Sequence, residues 1–206
     1  SLIAVSFVAS AIILFGLVTG KYQVWNETIY VWGITGNLQI TVGFLLDKLS
    51  ALMIAVISFV SLMVHIYSIG YMQDDPGYQR FFSYISLFTF SMLMLVMANN
   101  FMQLFFGWEA VGLVSYLLIG FWFKKPSATF AGLKAFIINR LGDFGFVIGI
   151  AAVAYYCGSL QYQDVFIAVP KIFDNQAAID LMCLCLLIGA MAKSAQIPLH
   201  VWLPDS

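Results

Sequence analysis

A bundle of membrane-spanning α-helices, one of them broken by proline, is the fold class that this sequence predicts. Three observations carry that reading. Hydrophobic residues make up 62% of the chain and charged residues only 9%, against roughly 25% charge in a soluble domain. The mean hydropathy is +0.94, and the apolar residues gather in runs near the ~20 residues that cross a hydrocarbon core. No period-two pattern of a membrane barrel appears, so helices, which satisfy every backbone group within one segment, remain.

Six runs read as helices: Leu2–Gly20, ended by Lys21, then Leu45–Met72, Phe81–Ala98, Phe101–Phe123, Phe130–Tyr156 and Ala178–Leu203. They make one transmembrane domain over residues 1–206. The chain starts inside an apolar run and stops just past a helix break, so it reads as incomplete at both ends, with no signal peptide to remove. Asp47 and Lys48 open the second run, where a helix N-terminus favours Asp47.

Between the first two runs, Thr28–Phe44 alternates apolar residues on either side of Gly36-Asn37. That pattern reads as a short surface β-hairpin or as an irregular amphipathic loop. Asn99-Asn100 alone separate the third and fourth runs, which forces a tight antiparallel pair. The 158–176 loop, with Asp164, Pro170, Lys171 and Asp174, reads as carrying a short interfacial helix. Arg80, Lys124 and Lys125 fall on one side, and Lys21, Lys48 and Lys171 on the other, so the lysine-arginine count ties. The density of Lys124-Lys125 in so short a loop assigns that side to the cytoplasm or matrix.

A net charge of −1 excludes a polybasic nucleic-acid surface. Cys157, Cys183 and Cys185 lie in or beside apolar runs, and no His or Cys stands at zinc-like spacing. No CxxC, haem-type histidine pair or Gly-rich dinucleotide loop is present, so neither a metal site nor a redox centre is expected here.

The last run holds the most informative charge. Lys193 stands in apolar surroundings just before Pro198 and Pro204. A lysine at the bilayer centre costs roughly 3 kcal/mol or more and must face a partner or water. Pro198 clashes with the carbonyl of Ser194, so the helix should loosen beside the charge. Broken helices with a mid-membrane charge are where transporters place ion sites.

Glu109, in Gly107-Trp108-Glu109-Ala110-Val111-Gly112, lies ~12 Å into its helix at ~1.5 Å per residue and is the expected partner. Gly107 and Gly112 would let a neighbour approach it. That pair reads either as a working site or as a static staple. Arg140 and Asp143, at i,i+3, share a face and tune the Glu109–Lys193 electrostatics. Lys134 traces nearly the same face, yet near the helix start it can simply snorkel. His65 reads as a proton relay or as a hydrogen-bonded packing residue, and His200, after Pro198, has the better claim to water.

Together these motifs resemble the antiporter-like subunits of respiratory complex I. The resemblance is carried by Gly107–Gly120 (GWEAVGLVSYLLIG), by Lys134-Ala135-Phe136 with Asn139-Arg140-Leu141-Gly142-Asp143, and by Lys193–Asp205 (KSAQIPLHVWLPD). It runs from about Asp47 to the end, and the Asn-Arg-x-Gly-Asp piece is most like the chain L, or chain 5, branch of the NADH-quinone oxidoreductase. It implies inverted repeats of broken helices, with Glu109 and Lys193 translocating protons. Arg140 and Asp143 would line the same region. A Lys193 paired with a carboxylate keeps its proton, and loss of that partner favours release.

The resemblance further implies that this chain binds no cofactor, and that NADH, FMN, Fe-S clusters and quinone belong to other subunits. Its partners would be other complex I membrane subunits, the lipid bilayer, and protons with internal water. The location would be a bacterial cytoplasmic membrane or the mitochondrial inner membrane. The first run matches the family's second helix, and the second repeat would lie beyond Ser206. A multisubunit Na+/H+ antiporter shares the Trp-Glu and Lys-Ser-Ala-Gln patterns, while the Asn139–Asp143 segment favours complex I. The remaining reading is a scaffold in which Glu109–Lys193 is frozen.

Overall fold

Helix caps and prolines divide the chain where the apolar runs leave off. The computed structural model describes residues 2–36, 38–172 and 174–206. It places α1 at Leu2–Val18, strands β1 at Trp25–Thr35 and β2 at Leu38–Leu46, then α2 at Lys48–Tyr71 and α3 at Tyr78–Val96. There follow α4 at Phe101–Ile119, α5 at Pro126–Cys157, the short α6 at Tyr162–Ala168 and α7 at Gln176–Lys193. The helices α2, α3, α4, α5 and α7 are long and apolar enough to cross a membrane. α1 is equally apolar but has 17 described residues.

The helix starts are chemically marked. Asp47 accepts from the Ser50 amide at 2.7 Å while Ser50 Oγ accepts from the Asp47 amide at 2.9 Å, a reciprocal cap. Leu45 and Leu46, expected in that helix, belong to β2 instead. Asn100 caps α4 by accepting from the Gln103 amide at 2.8 Å. Pro126 opens α5 four residues before the expected Phe130, where its missing N–H costs nothing. Gly158 closes α5 at φ +72°.

The expected helix Ala178–Leu203 ends early, at Lys193. Pro198 has no amide to donate and crowds the carbonyl four residues before it, so the chain turns away instead of resuming the helix. The Gln196 amide reaches back to the Met191 carbonyl at 2.9 Å. The Trp202 indole donates to the Ala192 carbonyl at 3.0 Å, so two terminal carbonyls find partners. Pro204 lies in a single closing turn, Leu203–Asp205.

The 28–44 stretch is a hairpin, and a longer one than expected. β1 and β2 pair antiparallel with Thr35 opposite Leu38. Gly36 takes the left-handed turn conformation at φ +59°; Asn37, the other turn residue, lies outside the described residues. The hairpin covers one end of the bundle. Asn100 Nδ2 donates to the Thr41 carbonyl at 3.1 Å, the Gly43 amide to Gln103 Oε1 at 2.9 Å, and Gln161 Nε2 to Thr41 Oγ1 at 2.6 Å. At the other end, Arg80 Nη2 donates to the Phe121 carbonyl at 3.1 Å and the Trp122 indole to Asp75 Oδ2 at 2.9 Å. The α2–α3 and α4–α5 loops therefore share a side, as the helix count requires.

Candidate functional site

The buried charges converge where α4, α5 and α7 pack, with α5 in the middle, touching both of its neighbours. Missing side chains bring α5 and α7 together: a methyl at Gly142 would collide with Ala192, and one at Gly145 would lie 2.8 Å from Ile188 Cγ2. On the other flank, Trp108 of α4 stacks on Phe146 of α5 with centroids 4.5 Å apart and planes 11° apart. Offset aromatic stacking of this kind adds about 1 kcal/mol to the area it buries. Three helices are thus held at fixed rotations around the charges.

Glu109 Oε2 is in a close salt bridge with Arg140 Nη1. The same Nη1 stands 3.9 Å from Asp143 Oδ2, so one guanidinium is shared by two carboxylates. Asp143 is only 3% exposed and accepts from the Trp108 indole at 2.8 Å. Lys193 closes α7 with its Nζ buried and without a hydrogen-bond partner, as is Glu109 Oε1. That ammonium lies 5.9 Å over the Trp108 ring. A Cβ at Gly112 would collide with it, so the glycine makes the space the ammonium occupies.

The direct Glu109–Lys193 pair expected from the sequence is therefore not formed. The Lys193 ammonium does reach α4, beside Gly112 and one turn from Glu109, but Arg140 projects from α5 onto the carboxylate first. Gly107, expected to open space beside Glu109, instead admits α3: a Cβ there would lie 2.7 Å from the Leu95 backbone. Arg140 and Asp143 do join the cluster, with Arg140 in direct contact with Glu109 and near Asp143.

The other expected residues are placed elsewhere. Lys134 forms a 2.6 Å salt bridge with Asp205, where snorkelling to headgroups or a shared face with Arg140 was expected, and so pins the segment after Pro198 to α5. His65 Nδ1 lies 2.7 Å from the Ser61 carbonyl and its Nε2 3.2 Å from Ser86 Oγ; it joins α2 to α3 and does not reach the cluster. His200 is exposed in the turns between Pro198 and Pro204. Among the described residues no three His, Cys, Asp or Glu gather as metal ligands.

Two features escaped the sequence reading. Trp108 was visible only as a neighbour of Glu109, yet its indole holds Asp143. A cavity of about 540 Å³ lies between the hairpin, α3 and α4, lined by Tyr30, Trp32, Gln103, Phe106 and Glu109 among others. It reaches from the hairpin to the wall that Glu109 helps to form.

The comparisons with known proteins agree with this architecture. Residues 98–206 match a family model described as NADH:quinone oxidoreductase/Mrp antiporter, transmembrane. Residues 32–82 match one described as NADH-ubiquinone oxidoreductase (complex I), chain 5 N-terminus. NADH-quinone oxidoreductase subunit L of Neisseria meningitidis serogroup B is 61% identical over 99% of this chain and 32% of its own length. The chain thus spans about a third of the curated relatives it matches. Two solved structures share the fold. An archaeal respiratory membrane complex, the membrane-bound sulfane sulfur reductase, aligns at TM-score 0.82 with 17% identity over 98% of this chain and 40% of the matched one. The Mrp complex of Dietzia sp. DQ12-45-1b aligns at 0.80 with 22% identity over 98% and 24%.

Proposed function

Because the chain belongs to the NADH:quinone oxidoreductase/Mrp antiporter family, matched over residues 98–206, we propose that it works in proton translocation by the membrane arm of an NADH:quinone oxidoreductase. The observation that carries this reading is Lys193: a buried ammonium, without a hydrogen-bond partner, at the broken end of α7 beside two carboxylates that share one arginine. A static staple would pair its charges to offset desolvation, since an unpaired buried charge costs several kcal/mol. Here the arrangement leaves one cation poised instead.

Arg140 is the moving part in this proposal. While it stays on Glu109, Asp143 supports the charged form of Lys193. When Arg140 transfers to Asp143, that support weakens and Lys193 releases its proton to internal water. Glu109, freed of Arg140, then takes up a proton through the cavity beneath the hairpin. One proton leaves the lysine and one is captured by the carboxylate, so the net charge of the cluster is restored. The redox energy, NADH, FMN, Fe-S clusters and quinone belong to other subunits, with which this chain assembles in the membrane.

The alternative, a subunit of a multisubunit Na+/H+ antiporter, has the shared family model behind it. The 61% identity to a subunit L and the chain 5 match at residues 32–82 favour the oxidoreductase. The test is NADH-driven proton uptake in vesicles with Arg140→Gln in the full-length subunit. Pumping should fall while the complex remains assembled; unchanged pumping would refute the role of the shared arginine.

A further inference from the structure

The bundle end opposite the hairpin gathers three cations, Arg80, Lys124 and Lys125, around a single half-buried carboxylate, Asp75. Arg80 lies in the first turn of α3, and Lys124 and Lys125 stand between α4 and α5. None of them forms a salt bridge among the described residues. The nearest acid, Asp75, is committed: it accepts from the Trp122 indole at 2.9 Å and from the Gly77 amide at 2.6 Å. Asp74 is exposed. Arg80 is held between two rings, its guanidinium carbon 4.7 Å from the Phe121 centroid and 4.9 Å from that of Phe123. One of its nitrogens donates to a backbone carbonyl, but its Nε is buried without a partner. Nε is closed off from the cavity, so the donors that face an oxyanion are those of Nη1, which makes no hydrogen bond among the described residues, and the second hydrogen of Nη2.

The backbone adds to this field. α3 and α5 both begin here, and neither N-cap residue, Gly77 or Lys125, makes a side-chain capping bond. Two helix starts therefore bring positive dipole ends to the same place, although the Gly77 and Tyr78 amides are taken by Asp75 and Pro126 has no amide to offer. Between them opens a cavity of about 290 Å³, lined by Arg80, Trp122, Lys124 and Lys125 and by one carboxylate, Asp75, which is held by the Trp122 indole and the Gly77 amide. Lys125 Nζ sits 4.8 Å over the Trp122 ring, and Phe123 beside it is 59% exposed. The site thus has a cationic floor and an apolar, aromatic outer wall at the level where membrane helices end.

We infer that this cavity binds the phosphate of an anionic phospholipid headgroup. Arg80 supplies the fork, Lys124 and Lys125 supply charge, and exposed Phe123 packs against the acyl region. Phosphate chemistry alone would also fit free inorganic phosphate. The exposed phenylalanine at the end of two spanning helices favours the lipid, because a small ion makes no use of an apolar wall. The inference is independent of the Glu109–Lys193 cluster.

The test is amine-reactive footprinting of Lys124 and Lys125 in the assembled, full-length complex, reconstituted in phosphatidylglycerol or phosphatidylcholine vesicles. Lys48, on the opposite side, serves as the internal reference. Phosphatidylglycerol should slow labelling of Lys124 and Lys125 by roughly fivefold relative to Lys48. Arg80→Gln should abolish that protection, while Arg80→Lys, which keeps the charge but loses the fork, should retain part of it. Equal labelling in the two lipids, or protection that survives Arg80→Gln, would overturn the site. Protection reproduced by inorganic phosphate in phosphatidylcholine vesicles would overturn its assignment to lipid.

Discussion

Arg140 bridges Glu109 on α4 and Asp143 on its own helix, touching the first and standing 3.9 Å from the second. The arginine side chain remains 40% exposed and Glu109 23%, so the pair is only partly desolvated. Removing Arg140 alone leaves two carboxylates facing each other across a helix contact, at a cost of about 1–3 kcal/mol. Arg140→Gln with Glu109→Gln should recover most of that stability without recovering transport. Thermal unfolding of the two variants beside a pumping assay checks it; a double variant that pumps normally would contradict a role for the bridge.

The tie between Trp108 and Asp143 can be separated from the aromatic stack. Trp108→Phe keeps a ring against Phe146 but removes the indole donor at 2.8 Å from Asp143. The expected loss is about 1–3 kcal/mol, because a buried carboxylate then lacks its donor. Transport should fall further than assembly does, since Asp143 is then free to take Arg140. Equal stability of Trp108→Phe and the parent would show that the hydrogen bond contributes nothing.

Gly112 tests the position of Lys193 without touching a charge. A Cβ there would collide with the lysine ammonium, so Gly112→Ala should displace Lys193 while raising intrinsic helix propensity by about 1 kcal/mol. A well-assembled complex with impaired pumping is the expected result. Full activity would mean that the ammonium has room elsewhere and that its observed place is incidental.

Much of the bundle was legible because apolar runs, prolines and caps are local signals. Asp47 marks a helix start by chemistry visible in the sequence, whereas Pro126, read as loop, opens α5 four residues before the expected Phe130. The partner of Glu109 was not legible, because pairing across helices depends on their order and rotation. Lys193 and Glu109 looked complementary, each rare in its run, but Lys193 meets α4 at Gly112 while Arg140 of α5 takes the Glu109 carboxylate. Lys134 was misread for a related reason: its partner, Asp205, becomes its neighbour only once the chain turns after Lys193. Asn99 and Asn100 looked only like a tight connection and Gln103 like one more helix residue, yet they hold the hairpin over the bundle.

The loop contact at the opposite end carries a pH dependence of known sign. The Trp122 indole, then the Gly77 amide, hold the Asp75 carboxyl below its ordinary value of 3.8, with Arg80 and Lys125 adding to them and slight burial opposing. A depressed carboxyl stabilises the fold above its unfolded value, and that contribution is lost as pH falls through the lower folded value. The tether should therefore hold from neutrality to about pH 4 and open only in stronger acid. Limited proteolysis of the Asp74–Gly77 turn against pH reads this directly, and Asp75→Asn should remove the acid step. Opening between roughly pH 5 and 7 would contradict it.

The most direct test of the charged cluster is Lys193→Met in the full-length subunit, with NADH-driven proton pumping in vesicles measured alongside NADH oxidation and assembly. Methionine keeps the length and apolar stem of lysine but carries no proton. If Lys193 is the proton-carrying group, the complex assembles and pumping drops relative to NADH oxidised. If pumping and oxidation both stay normal, Lys193 is a structural residue and the shared-arginine mechanism fails.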